Sequence, residues 1–176
     1  MRKLIYVAAI AITTIASIAT TKAQTPIRQL HNPTILDLYG KPAVVPHWGK
    51  KNLMIFYIDP DRAGQNQEFA EWLEDSKRAE GPGLVGMGII NLKDAPLIPN
   101  GLARNIANRR SAKSGATVLA DQTRTISTEW GLGDCNNMFV SILINRKGEL
   151  VYLHKGEFTQ DAVDEFLKNI DILKNN

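Results

Sequence analysis

The chain has 176 residues, 44% of them apolar and 22% charged, with one cysteine, Cys135, and a formal net charge of +3. A single cysteine excludes an internal disulfide, and the length suits one domain with its own core, by the rule of roughly 100–200 residues each. The positive excess belongs to residues 1–23, which hold Arg2, Lys3 and Lys22 and no acid; beyond them 18 basic residues face 18 acidic ones, so net charge gives no support to nucleic-acid binding.

Arg2 and Lys3 precede an apolar run from Leu4 to Ala19, and Thr21-Lys22-Ala23 closes it with small residues at both ends of the tripeptide. That layout predicts a secretory signal peptide over 1–23, cut after Ala23. The run is short for a spanning helix, which needs ~20 apolar residues, so no membrane span is expected after cleavage. The expected location is the periplasm or the medium outside the cell. Residues 24–34 read as an extended, partly mobile arm, and 35–176 as the folded domain.

Ile35–Leu38 and Val44–Val45 flank a Tyr39-Gly40-Lys41-Pro42 turn, a small hairpin. Leu53–Ile58 is a continuous apolar run, the pattern of a strand buried on both faces. Asp59-Pro60-Asp61 breaks it, and an aspartate there is a good helix cap. A long helix is predicted from Gly64 to Glu80, with Phe69, Trp72, Leu73 and Ser76 on one face and Gly81-Pro82-Gly83 as its stop. Leu84–Asn91 is a second strand, in which Gly86 and Gly88 would let a neighbouring backbone approach closely. Asn100 is expected to cap a helix running to about Lys113, ended by Gly115. Thr117–Ala120 reads as a short strand and Thr125–Trp130 as a helical turn or two. Met138–Ile144 and Leu150–His154 read as a hairpin. Thr159 caps a last helix whose apolar stripe is Val163, Phe166, Leu167, Ile170 and Leu173.

This order, from Ile35 to Leu173, resembles the thioredoxin-like fold in its peroxiredoxin and periplasmic-reductase form. The resemblance rests on Leu36-Asp-Leu-Tyr-Gly-Lys-Pro42, on Leu53–Tyr57 before a turn and helix, and on Trp130-Gly131-Leu132 followed by Ile142-Leu-Ile-Asn145 and Lys147-Gly148. More narrowly, Tyr57-Ile-Asp-Pro-Asp61 and Gly131-Leu-Gly-Asp-Cys-Asn-Asn137 are similar to the YtfJ-type exported proteins. The resemblance implies an α/β three-layer sandwich, a central mixed sheet with helices on both faces. It also puts Asp61 where such proteins carry the first cysteine of a cysteine-x-x-cysteine motif, Gly64 where they carry the second, and Phe139 or a neighbour at their cis-proline. Dithiol exchange needs an attacking and a resolving thiol, and these residues supply neither.

In that fold the loop after the first buried strand and the loop before the last hairpin share one sheet edge. Asp59, Asp61, Asp134, Cys135 and Asn136 are therefore the candidate site. The plain reading is an aspartate cap beside a buried, inert thiol. The sharper reading makes Cys135 the nucleophile of a one-cysteine oxidoreductase, with Asp61 as the other catalytic candidate. Carboxylates nearby would raise the thiol pKa and oppose this, unless His154 offsets them. A cation held by the aspartates and Asn136 or Asn137 has the right oxygens but not the calcium-loop spacing. A phosphatase using Asp59 as nucleophile and Asp61 as acid lacks the later acidic pair that chemistry needs.

Arg104, Arg109, Arg110 and Lys113 make one helix basic, read as a solvated face or a docking surface. His31 and His47 lack metal-ligand spacing. No cofactor or resident metal is expected. The reading the sequence favours is an exported module without dithiol chemistry that binds an envelope protein or small ligand at the Asp61/Cys135 edge.

Overall fold

The computed structural model describes residues 28–95, 97 and 99–176; the expected leader over 1–23 and the first residues of the arm lie outside them. Two short strands, β1 (Arg28–Gln29) and β2 (Thr34–Asp37), are followed by β3 (Pro42–Val44) and the longer β4 (Asn52–Ile58). Helix α1 (Gln67–Asp75), β5 (Leu84–Asn91), α2 (Asn100–Ser114), β6 (Thr117–Asp121) and α3 (Thr125–Glu129) come next. The chain closes with β7 (Phe139–Ile144), β8 (Glu149–Lys155) and α4 (Gln160–Leu173). All eight strands join one mixed sheet in the order β1-β8-β7-β4-β5-β6-β2-β3.

The apolar run at 53–58 becomes a central strand, parallel to β5 and antiparallel to β7. A strand so placed needs apolar side chains on both faces. Leu53, Ile55 and Tyr57 pack with Ile89, Leu119, Val140, Ile142 and Trp130 under Ile126 of α3. Met54 and Phe56 turn to the opposite face, against Leu73 of α1 and Phe166, Ile170 and Leu173 of α4. Helix α2 lays Ala103 and Ala107 against Ala120. Helices thus cover both faces, the three-layer α/β arrangement.

Several local expectations need correction. The long helix starts at Gln67 instead of Gly64 and ends at Asp75 instead of Glu80. Asn66 delays it: at φ +60° its Nδ2 donates to the Gly156 carbonyl (2.8 Å) and its Oδ1 accepts the Phe158 N–H (2.9 Å). Lys77, at φ +54°, prevents continuation. Trp72, expected on the buried face, is 45% exposed. Asn100 is the first residue of α2 and makes no cap, since Pro99 takes the capping position. Gly86 and Gly88 admit no backbone. The Met54 Cε occupies the space above Gly86, and Gly88 faces an opening bounded by Val118. The arm is docked from residue 28 onward, because Arg28 and Gln29 pair with Leu150 and Glu149. Asn32 then exchanges two 2.9 Å hydrogen bonds with the backbone of Val45.

Candidate functional site

Strands β4, β5 and β6 run parallel, with Ile58 opposite Ile90 and Asn91 opposite Asp121. Their carboxyl ends therefore open on one edge, the position where α/β sheets hold ligands and chemistry. Phe139 pairs with Ile58 at the start of β7, so the loop 131–138 ends at that edge too.

Asp59 follows β4 and is completely buried. Its Oδ1 accepts the Asp61 N–H at 2.9 Å and its Oδ2 the Asn137 N–H at 2.7 Å. The Asp59 N–H in turn donates to the Met138 carbonyl at 3.1 Å. One carboxylate thus ties the turn after β4 to the loop before β7. Burial raises its pKa, and the two backbone N–H groups oppose that rise. Pro60–Arg62 forms a single 3-10 turn capped by Asp59. The aspartate cap expected on the long helix therefore sits on this turn, eight residues before α1 begins.

Asp61 lies in that turn with its side chain in solvent. Asp134 and Asn136 are exposed as well, and Asp134 Oδ1 accepts the Asn136 N–H at 3.0 Å. Cys135, between them, points inward and is 2% exposed within the core under α3. Its Sγ faces the Gly133 carbonyl at 3.5 Å. The thiol pKa is pushed up to about 11, first by burial, with Asp134, Asp94 and Asp121 adding and Lys155 opposing. The direction matches the electrostatic expectation, but burial outweighs the carboxylates. The offsetting cation is Lys155, whose Nζ donates to the Leu132 carbonyl at 3.0 Å. His154 is engaged elsewhere, bonded to the Glu157 carbonyl and stacked on Phe158.

Two carboxyl-edge aspartates, Asp121 and Asp94, were not singled out from sequence. Asp121 ends β6 fully buried; its Oδ1 accepts the N–H groups of Thr123 and Thr125, and its Oδ2 those of Ile126 and the Tyr57 hydroxyl at 3.2 Å. Burial and then Asp121 hold the Tyr57 phenol protonated far above its ordinary range. Asp94 is buried and bound by Asn91 Nδ2 at 2.6 Å and Arg124 Nε at 2.5 Å. The readable signal was Asp121-x-Thr-x-Thr, an aspartate at a strand end followed by a helix start.

Every buried carboxylate at this edge is thus consumed in shaping loops. Asp59 cannot act as a phosphoryl nucleophile while it is buried with both oxygens bonded. Among the described residues no three His, Cys, Asp or Glu side chains are arranged to hold a metal ion. His31 pairs with Glu129 at 2.6 Å, and His47 is a turn residue at φ +60°.

No protein-family model matches the chain, and no curated protein matches it. Solved structures do. A DsbF homologue from Corynebacterium diphtheriae superposes with a TM-score of 0.61 at 15% identity, over 84% of this chain and 88% of that one. The exposed lipoprotein thioredoxin Etrx1 of Streptococcus pneumoniae gives 0.55 at 16% identity, over 79% and 99%. A thiol-disulfide oxidoreductase from Bacteroides fragilis gives 0.54 at 14%, over 81% and 98%. At these identities the likeness establishes the fold alone, the α/β thioredoxin-like one. The chain's single cysteine, Cys135, is a buried thiol.

Proposed function

We propose that the chain is a binding module of the cell envelope that uses the thioredoxin-like scaffold without dithiol chemistry. The observation that carries this reading is the Asp59 carboxylate, which fastens together the two loops that frame the edge, while Cys135 turns inward. Exchange of a disulfide needs a thiolate that can reach a partner sulfur and a second thiol to resolve the product. Cys135 has no second thiol in the chain and a pKa far above neutrality. What the edge offers outward is Asp61, Asp134 and Asn136, polar groups suited to recognising a protein or small ligand.

Export is part of the proposal. It is supported by the basic, apolar and small-residue sequence of 1–23 and by likeness to proteins described as an exposed lipoprotein and a DsbF homologue. The YtfJ-type strings at 57–61 and 131–137 are consistent with the same assignment. The competing reading is an oxidoreductase working through Cys135 alone.

Two measurements separate them. Iodoacetamide labelling of the native protein near neutral pH, followed by mass spectrometry, should be slow compared with the denatured chain. Insulin reduction driven by dithiothreitol should show no acceleration over buffer. Rapid native labelling together with catalysed insulin reduction that Cys135→Ser abolishes would replace the binding reading with the thiol one.

A further inference from the structure

A cavity lies on the face of the sheet that α1 and α2 cover, opposite the side on which Cys135 packs, and reaches Ile58, Pro60 and Phe139 at the carboxyl edge. It is a cleft of about 460 Å³ between α1 and α2, within the range of roughly 300–1,000 Å³ usual for small-molecule sites. Gly88 of β5 is open to it beside Phe56 and Val118, while Met54 covers Gly86. A strand interior ordinarily carries β-branched side chains, which would fill such a space. A Cβ built on Gly88 would meet only Val118, at an ordinary 3.5 Å, so the backbone there does not require glycine. The glycine is explained by the space it leaves. Ile106 of α2 lines the same cleft yet is 56% exposed, an apolar side chain turned toward an apolar opening.

The mouth is charged. Arg110 of α2 and Lys77 beyond α1 line it, with Glu74 and Glu80. Lys77 lies 3.9 Å from Glu80, whereas Arg110 makes no ion pair among the described residues. Of the basic residues of α2, Arg110 alone lines the cleft, and it is the cation on the α2 side of the mouth.

We infer that this cleft binds a free anionic amphiphile of the fatty-acid class, its apolar body over Gly88 beside Met54 and Phe56 and its head group at Arg110. The volume fits a small molecule, whereas a stable protein contact needs on the order of 800 Å² from each partner. An apolar body matches the lining, and a carboxylate or similar anion matches the unpaired guanidinium. The inference does not rest on the reading of the Cys135 edge, because Cys135 takes no part in the cleft.

The test uses dodecanoate as probe, by titration calorimetry and by displacement of anilinonaphthalene sulfonate. Saturable binding of one dodecanoate per chain is expected. Gly88→Val should weaken it at least tenfold with an unchanged circular dichroism spectrum, by filling the floor. Arg110→Gln should weaken dodecanoate about tenfold while leaving uncharged decanol unaffected, since one charge-assisted contact is lost. If Gly88→Val fails to fold, Ile106→Trp blocks the cleft from an exposed helix position. Absence of saturable heat, or binding undiminished in both blocking variants, overturns the inference. So does binding to phosphatidylglycerol vesicles without binding to monomeric dodecanoate, or a concentration-dependent dimer on gel filtration that Gly88→Val abolishes.

Discussion

The Asp59 Oδ2 accepts the backbone N–H of Asn137 at 2.7 Å, joining residues 78 positions apart in sequence. Its other oxygen holds the Asp61 N–H, so one buried side chain sets two loops. Asp59→Ala leaves both N–H groups without a charged acceptor. A destabilisation of about 3 kcal/mol is expected, from hydrogen bonds to charged groups worth ~1.5–3 kcal/mol each and not fully additive. Urea unfolding measures it. The pH dependence has a definite sign. Because the folded-state pKa is raised, Asp59 favours the folded protein most below the ordinary carboxylate range, near pH ~3.9, and this benefit is lost as pH rises through the folded value. Relative to Asp59→Asn, the native protein should therefore lose stability between acid and neutral pH; an unchanging difference between the two would contradict the assignment.

For Cys135 the expected behaviour is that of a buried thiol. With a pKa of about 11, its native alkylation rate should keep climbing well past the pH at which a free cysteine, at ~8.5, has levelled off. Cys135→Ser should cost only about 1 kcal/mol, because a hydroxyl can donate to the Gly133 carbonyl that the thiol faces. A plateau in the alkylation profile below pH ~8 would mean that the thiolate is stabilised in a way burial does not allow.

Asn66 offers a cleaner separation of backbone from side chain. It sits at φ +60° and also makes two hydrogen bonds to the segment after β8. Asn66→Gly keeps the left-handed backbone and loses the bonds; Asn66→Ala loses both. The glycine variant should be destabilised by about 1–2 kcal/mol and the alanine variant by roughly 1 kcal/mol more. Equal losses in thermal melts would show that the conformation carries no strain.

How far the sequence could be read follows from the range of each interaction. β4 and α4 were legible because periodicity and a Thr159 cap are local, and Thr159 Oγ1 does accept the Ala162 N–H at 3.3 Å. The shortened α1 was hidden because Asn66 is fixed by residues 90 and more positions away. Asp94 and Asp121 escaped notice for a related reason. Their burial depends on β5 and β6 ending side by side, and Arg124 reaches Asp94 only across two loops. The apolar cleft was also invisible, since Gly86 and Gly88 read as sites of close approach until the neighbours of β5 were known.

The segment after α1 is bound to α4 by charge. Arg78 grips Asp171 through two guanidinium nitrogens, and Lys174 Nζ reaches the same carboxylate at 3.1 Å. Arg78 first, then Lys174, holds the Asp171 carboxyl below the usual carboxylate range. A depressed folded-state pKa contributes stability that is present above the unfolded value of ~3.9 and is lost as pH falls below it. Asp171→Asn should accordingly lower the melting temperature at neutral pH, and the gap from the native protein should close in strong acid. Both partners are partly exposed, so solvent and salt weaken the pair, and added sodium chloride should shrink the neutral-pH gap. A gap that persists in acid and is indifferent to salt would assign Asp171 a packing role in place of an electrostatic one.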